Sequence, residues 1–367
     1  MKAISTGNIY RIHDDSLRTY DALPPQVYSV RFSKTSGFFL EKHSDIEVNE
    51  SKIYGVHLRK IEKVFASYAD FSRSLGVILS GAKGIGKSLF AKLLSLKAVE
   101  MNIPVVIVDE YIPGIATFIE SIEQESVILF DEFDKTFTKR GYEDDVDAQA
   151  TMLSLFDGMS QGKKLFVITC NKINELNDYL INRPGRFHYH FRFDYPSSAE
   201  IEEYLKDKID EKYWSAINDV IIFANKVSLN YDCLRAIAFE LNRGESFSEA
   251  IKDLNIVNVN AEKYTLTLYY ENGMIAKKDN VCIDLFGDYE ESVWMQENGT
   301  FYVQARFNPS HSVFDTEKMI NVILPDDITL FYDDEIESEE MVKRAKESQV
   351  LYMTASRQVN KGIHYAV

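Results

Sequence analysis

Cysteine is scarce in this chain: Cys170, Cys233 and Cys282 are the 3 in 367 residues. The number is odd and no two form a C-x-x-C, so neither a disulfide framework nor a cysteine-based zinc site is indicated. A reducing cytoplasm fits that usage. Basic residues are outnumbered, with 41 Lys and Arg against 57 Asp and Glu, for a net charge of −16 and a pI of about 5.0. Binding along a nucleic-acid backbone needs a basic surface, so a broad footprint of that kind is disfavoured, although a local basic pore is not. No run approaches the ~20 apolar residues of a membrane span. Met1-Lys2-Ala3-Ile4-Ser5 leads into polar residues without an apolar signal core. The expectation is a soluble cytoplasmic protein with no membrane partner.

What is present is a chain able to bury real cores, 45% hydrophobic and 13% aromatic, whose length suggests two or three domains. Residues 81–88 read Gly-Ala-Lys-Gly-Ile-Gly-Lys-Ser, a complete G-x-x-x-x-G-K-S. The apolar Gly76-Val77-Ile78-Leu79 precedes it, and Leu89-Phe90-Ala91-Lys92-Leu93-Leu94 follows with helical spacing. Strand, glycine loop and helix are the context that makes this a phosphate-binding loop. Gly81, Gly84 and Gly86 let the backbone turn its N–H groups inward, and the helix N-terminus adds its positive end. Ala82, Lys83, Ile85 and Leu89 complete the loop. Lys87 is placed to reach the β- and γ-phosphates of a nucleotide, and the Ser88 hydroxyl to hold Mg²⁺.

Val127-Ile128-Leu129-Phe130 runs into Asp131-Glu132. Alone this is equally a buried strand meeting an acidic turn. Downstream of a phosphate loop, Asp131 suits the Mg²⁺ shell and Glu132 can polarise an attacking water. A further strand, Leu165-Phe166-Val167-Ile168-Thr169, ends at Cys170-Asn171. Asn171 is either a strand-end turn residue or a group that touches the γ-phosphate. Arg183-Pro184-Gly185-Arg186-Phe187 is poor helix material. It reads as a rigid presenter of guanidinium groups or as a surface turn.

These pieces, in this order, resemble the AAA ATPases in the narrow sense, over about residues 50–250. The span from Phe166 to Asn171 through Arg183–Phe187 is similar to that clade's second region of homology, and Leu155-Phe156-Asp157-Gly158 to its L-x-D-G-like turn. The resemblance implies ATP bound at subunit interfaces, usually of a hexameric homo-oligomeric ring. It implies that Asn171 senses the γ-phosphate and that Arg183 and Arg186 act on the neighbouring subunit's ATP. Ile53-Tyr54-Gly55 resembles the adenine-contacting turn, which makes Tyr54 and Gly55 nucleotide contacts. Arg235, in Cys233-Leu234-Arg235, either reaches phosphate or covers the lid surface. Tyr111-Ile112-Pro113-Gly114 is either a short aromatic pore loop or a turn with a half-buried tyrosine.

The fold class expected is α/β: a parallel phosphate-loop sheet over residues 51–195 and a helical lid over 196–254. A small hairpin-like appendage occupies 1–50, an antiparallel β domain 255–330, and an acidic linker with a helix and tail 331–367. In the sheet, continuous apolar strands alternate with helices. In the β domain, Tyr264 to Tyr270 alternates before Glu271-Asn272-Gly273, and Glu297-Asn298-Gly299 marks another turn. Residues 326–340 hold acids without lysine or arginine, a solvated run or a dock for a basic partner. The function read from all this is a chaperone-like ATPase that remodels an unknown protein substrate. The alternatives are a DNA-handling ATPase of helicase or clamp-loader type, disfavoured by charge, and a nucleotide-gated scaffold with slow turnover. The unusual flanks suggest a specialised machine of a bacterial or virus-infected bacterial cytoplasm.

Overall fold

The computed structural model describes residues 1–48, 50, 52–137, 147–157, 162–256, 262–297, 301–315, 318, 320–332 and 339–358. The chain divides into two units, Met1–Tyr195 and Pro196–Val367.

The first unit begins with the two-stranded ribbon β1 (Lys2–Thr6) and β2 (Ile9–His13), followed by the hairpin β3 (Val27–Ser33) and β4 (Gly37–Lys42). Then come α1 (His57–Asp70), β5 (Leu75–Ser80), α2 (Lys87–Glu100), β6 (Val105–Val108), α3 (Ile115–Glu120) and β7 (Ser126–Phe130). The short turns α4 (Phe133–Thr136), α5 (Ala148–Thr151) and α6 (Leu153–Phe156) lead to β8 (Lys164–Cys170) and β9 (Tyr189–Arg192). Seven strands form one sheet in the order β4-β3-β6-β7-β8-β5-β9, parallel throughout except for β4.

The strands β5, β7 and β8 are buried along their whole length. Side chains alternate across a strand, so each strand feeds two cores. Val77, Leu79 and Val167 pack with Val64, Phe65, Phe90 and Leu94 of α1 and α2. Ile78, Ile168 and Phe130 pack on the other face with Ile115, Ile119, Leu155 and Phe156. This is the reason the strands read as continuous apolar runs.

Two expectations change here. The hairpin at 27–42 is not a separate appendage, because β3 pairs in parallel with β6 through Val27–Val105 and Ser29–Ile107. The edge strand β9 went unforeseen because His190 and Arg192 interrupt its apolar pattern. The acidic stretch 143–146, the loop at 138–141 and Gly158 lie outside the described residues.

In the second unit, α7 (Ser198–Lys208) starts at a capping box in which Ser197 and Glu200 satisfy each other's backbone N–H groups. The helix expected over 211–224 opens as a 3₁₀ turn, Glu211–Ala216, and continues as α8 (Ile217–Ala224). Asn230 caps α9 (Tyr231–Asn242), and Ser246 caps α10 (Phe247–Asp253), a helix that the pattern did not announce.

The antiparallel sheet has eight strands: β10 (Glu262–Tyr270), β11 (Ile275–Ile283), β12 (Glu291–Glu297), β13 (Phe301–Phe307), β14 (Val313–Asp315), β15 (Ile320–Ile323), β16 (Ile328–Tyr332) and β17 (Val350–Arg357). A helix, α11 (Glu339–Lys346), precedes β17. The tail segment β17 is central, lying between β15 and β10. Of the expected linker and tail at 331–367, the described residues Val350–Arg357 are therefore a strand of the sheet, and 359–367 lie outside the described residues. The strand β16 likewise takes the start of the acidic run, of which 333–338 lie outside the described residues, as does the turn at 298–299. Arg357 of β17 donates to the Ala224 carbonyl at 3.1 Å and to the Ser228 hydroxyl, fastening sheet to lid helices. Among the described residues no helix is long and apolar enough to cross a membrane.

Candidate nucleotide-binding site

Strand order builds the site. The strand β8 lies between β5 and β7, so the residue after β8, Asn171, emerges between the phosphate loop and Asp131-Glu132. Ligands in open α/β sheets sit outside the carboxyl ends of the strands. Lys87, Asp131, Glu132 and Asn171 gather there.

The loop is shaped by its glycines. Gly81, Gly84 and Gly86 have φ values of 143°, 75° and 99°, in the region that side chains rarely adopt. A Cβ on Gly81 would lie 2.2 Å from the Phe193 carbonyl oxygen. Lys87 is 8% exposed. Its ammonium donates to the carbonyls of Gly81 and Ala82 at 2.5 Å each and to Asn171 Oδ1 at 3.0 Å. Burial pushes its pKa below the usual lysine value, against the pull of nearby Asp134, Asp131 and Glu132. Ser88 is exposed in the first turn of α2, Ile85 is buried, and Leu89 half-buried.

Across the cleft, Thr169 holds both acids in register. Its hydroxyl donates to Asp131 Oδ1 at 2.6 Å and accepts from the Glu132 N–H at 2.8 Å. Glu132 sits in left-handed backbone, φ 46°, a strained position for a residue with a side chain. Its carboxylate accepts from Lys135 and, at 3.3 Å, from Asn171 Nδ2. The Lys135 contact is the main cause of a lowered carboxyl pKa, so Glu132 is ionised near neutrality. Asn171 thus touches the phosphate-loop lysine with its amide oxygen and the candidate base with its amide nitrogen.

Reading the motifs in sequence missed three residues. Thr169 passed as an ordinary strand residue, since only its face in the folded sheet reveals its use. Asp134 is 1% exposed and its Oδ2 accepts the N–H groups of Asn171 (2.9 Å) and Lys172 (3.0 Å). Asp134 Oδ1 is buried with no hydrogen-bond partner. Its signal was present: a third acid, three residues after Asp131, falls on the first turn of α4. His57 is the third, buried between Tyr54 and Gly86.

The two arginines part company. Arg186 is 11% exposed and forms a two-pronged ion pair with Asp157, its Nη2 at 2.8 Å, while Nη1 donates to the Tyr179 carbonyl at 2.7 Å. That pair holds the Asp157 carboxyl below its usual range. Arg183 is exposed, its guanidinium 5.4 Å from the centre of the Tyr179 ring. The backbone of this segment packs on β5, where a Cβ on Gly76 would stand 2.2 Å from the Arg186 carbonyl oxygen.

Tyr54 is buried and Gly55 has φ 71°. Tyr111 is half-buried, its ring 5.4 Å from that of Phe137, and its hydroxyl 3.4 Å from the Thr151 hydroxyl. Arg235 lies in α9 of the second unit and pairs with Asp232 at 3.4 Å.

The sequence model of the ATPase family associated with various cellular activities matches residues 77–195. The chain carries an AAA ATPase domain. The match takes in the phosphate loop, Asp131, Glu132, Asn171 and both arginines, but not the Tyr54 turn or the lid helices. The putative ribosome biogenesis ATPase nvl of Dictyostelium discoideum is 30% identical over 146 residues, 36% of this chain and 17% of that protein. The uncharacterized AAA domain-containing protein ycf46 of Gracilaria tenuistipitata var. liui is 28% identical over 207 residues, 49% of this chain and 38% of its own. The ATP-dependent zinc metalloprotease FtsH of Malacoplasma penetrans is 28% identical over 197 residues, 48% of this chain and 22% of its own. The chain therefore spans well under half the length of these relatives.

Proposed function

We propose that this AAA protein binds ATP with Mg²⁺ and hydrolyses it, working as a homo-oligomeric ring that remodels a protein substrate in the cytoplasm. The observation that carries the reading is the convergence of Lys87, Asn171, Asp131 and Glu132 at one edge of the sheet, with Asn171 bonded to both Lys87 and Glu132.

The chemistry follows from these groups. The ammonium of Lys87 rests on loop carbonyls and Asn171 Oδ1, and phosphate oxygens are stronger acceptors for it. Glu132, ionised, can take a proton from a water held beside the γ-phosphate. Asn171 aligns that water with the phosphorus. Mg²⁺ is commonly held by one or two side chains together with phosphates. Ser88 and Asp131 fit this donor set, since Thr169 occupies only Oδ1 of the carboxylate. Bound there, the ion would neutralise charge on the phosphate oxygens.

We assign the exposed Arg183 to a neighbouring subunit's nucleotide, and the partly buried, paired Arg186 to anchoring the segment that presents it. That division supports a ring, in which an exposed guanidinium serves the nucleotide of the next subunit. Two relatives bear names that include ATPase or ATP-dependent, which agrees with turnover as the shared activity.

Glu132→Gln is the test. The variant should bind ATP as the wild type does and hydrolyse it at least about 100-fold more slowly, the size of a lost general base. Unchanged turnover would remove Glu132 from its role. Retained turnover in Lys87→Ala would overturn the site itself. Captured proteins that appear with the Glu132→Gln protein only when ATP is present would identify the substrate.

A further inference from the structure

His57, the first residue of α1, is 5% exposed. Its Nδ1 lies 3.1 Å from the Tyr54 carbonyl oxygen and its Nε2 3.2 Å from the Gly86 carbonyl oxygen. Carbonyl oxygens only accept. For both contacts to be hydrogen bonds at once, both ring nitrogens have to carry a proton, which imidazole does only in its charged form. With one nitrogen unprotonated, a lone pair would face a carbonyl oxygen at this distance.

The fit leaves no slack, for a Cβ on Gly86 would come within 2.7 Å of Nε2. The rings of Phe193 and Phe90 flank the imidazole at 5.1 and 6.1 Å. Chargeable groups on the elements around it are Glu50, Lys52 and the Tyr54 hydroxyl before α1, Arg59 and Lys60 in the first turn of α1, Lys87 beside Gly86, and Asp194 beside Phe193.

We propose that His57, as an imidazolium, is a positioning residue that ties the Tyr54 turn to the phosphate loop, so that the protein binds adenine nucleotide more tightly when His57 is charged. The inference rests on the nucleotide reading of Tyr54 and residues 81–89. The ring spans the two ends of a nucleotide: the turn that would take the base and the loop that would take the phosphates. Loss of its proton releases one of the two carbonyls, and the bound geometry must then be assembled at the expense of binding.

The experiment has two arms on the full chain. In the first, ¹⁵N-histidine labelling reads the protonation of His57 directly, assigned by its disappearance in His57→Gln. Should that variant fail to fold, assignment by replacing the other histidines serves instead. At about pH 6, within the range where histidine titrates, both nitrogens should show protonated shifts.

In the second arm, ADP with Mg²⁺ is titrated into wild type and His57→Gln, since glutamine can donate to one carbonyl but not bridge both. The wild type should bind about tenfold more tightly near pH 6, the worth of one charge-assisted hydrogen bond. The gap should close by about pH 8.5, where histidine is normally neutral. A neutral ring at about pH 6, or identical pH profiles for the two proteins, overturns the bridge. A doubly protonated ring in a protein that binds no nucleotide supports the bridge and overturns the nucleotide reading.

Discussion

Replacing Arg186 by alanine removes both guanidinium contacts to Asp157 and frees the Tyr179 carbonyl. Hydrogen bonds to charged groups are worth about 1.5–3 kcal/mol each way of counting. Asp157 is 43% exposed while Arg186 is 11% exposed, so solvent screens one end and the lower part of that range applies, about 1.5–2 kcal/mol. For a unit of this size that is a fall in melting temperature of about 3–8 °C. Arg183→Ala removes an exposed contact to the Tyr179 ring, worth about 0.5 kcal/mol. Its effect should fall on turnover instead, by on the order of 10³, with nucleotide affinity kept. Thermal denaturation and steady-state hydrolysis of the two variants separate the roles. Arg186→Lys should not rescue stability, because an ammonium cannot bridge both carboxylate oxygens. A double-mutant cycle with Asp157→Ala should give a coupling of about 1–2 kcal/mol. Additive effects with an unshifted melting point in Arg186→Ala would refute the anchoring argument, and full turnover in Arg183→Ala would refute the division of labour.

Other outcomes follow from the same geometry. Thr169→Val keeps shape but leaves the Glu132 N–H and Asp131 Oδ1 without their partner; it should cost about 1–2 kcal/mol in urea unfolding and slow hydrolysis more than it weakens ADP binding. Asp134→Ala strips the N–H groups of Asn171 and Lys172 of their acceptor, and should lower turnover together with about 2–3 kcal/mol of stability. Gly76→Ala forces the arginine-bearing segment off β5 and should cost at least about 2 kcal/mol by thermal unfolding.

Lys164 is fully buried, with its ammonium on the carbonyls of Ile122 (2.6 Å) and Gln124 (2.7 Å). Burial lowers its pKa from 10.5 to about 8. The unfolded chain therefore binds the proton more tightly, so the penalty of charging Lys164 is fully present below about 8 and is relieved as pH rises toward 10.5. Relative to Lys164→Met, the wild type should gain up to about 3 kcal/mol across that window in urea titrations. A stability gap between the two proteins that does not vary with pH would contradict this.

Local sequence sufficed wherever a residue's role depends on its near neighbours. The loop 81–88 announces itself because glycine spacing and the adjoining strand and helix are all contiguous. Apolar runs ending in Asp131-Glu132 and Asn171 likewise disclose buried parallel strands with polar ends, and capped helices such as α7 and α9 need only their own turns. Tertiary structure decided whatever depends on which strands are neighbours. Placing β8 between β5 and β7 brings Asn171 against both Lys87 and Glu132, and turns Thr169 and Asp134 into supports for residues dozens of positions away. Pairing β3 with β6, and β17 with β10 and β15, absorbs two terminal stretches into the sheets, because a strand's partner is chosen by long-range registry and burial. The fates of Arg183 and Arg186 were likewise undecided by their shared motif. Chemically identical, they differ because Arg186 forms a two-pronged ion pair with Asp157 while Arg183 lies exposed over the face of Tyr179.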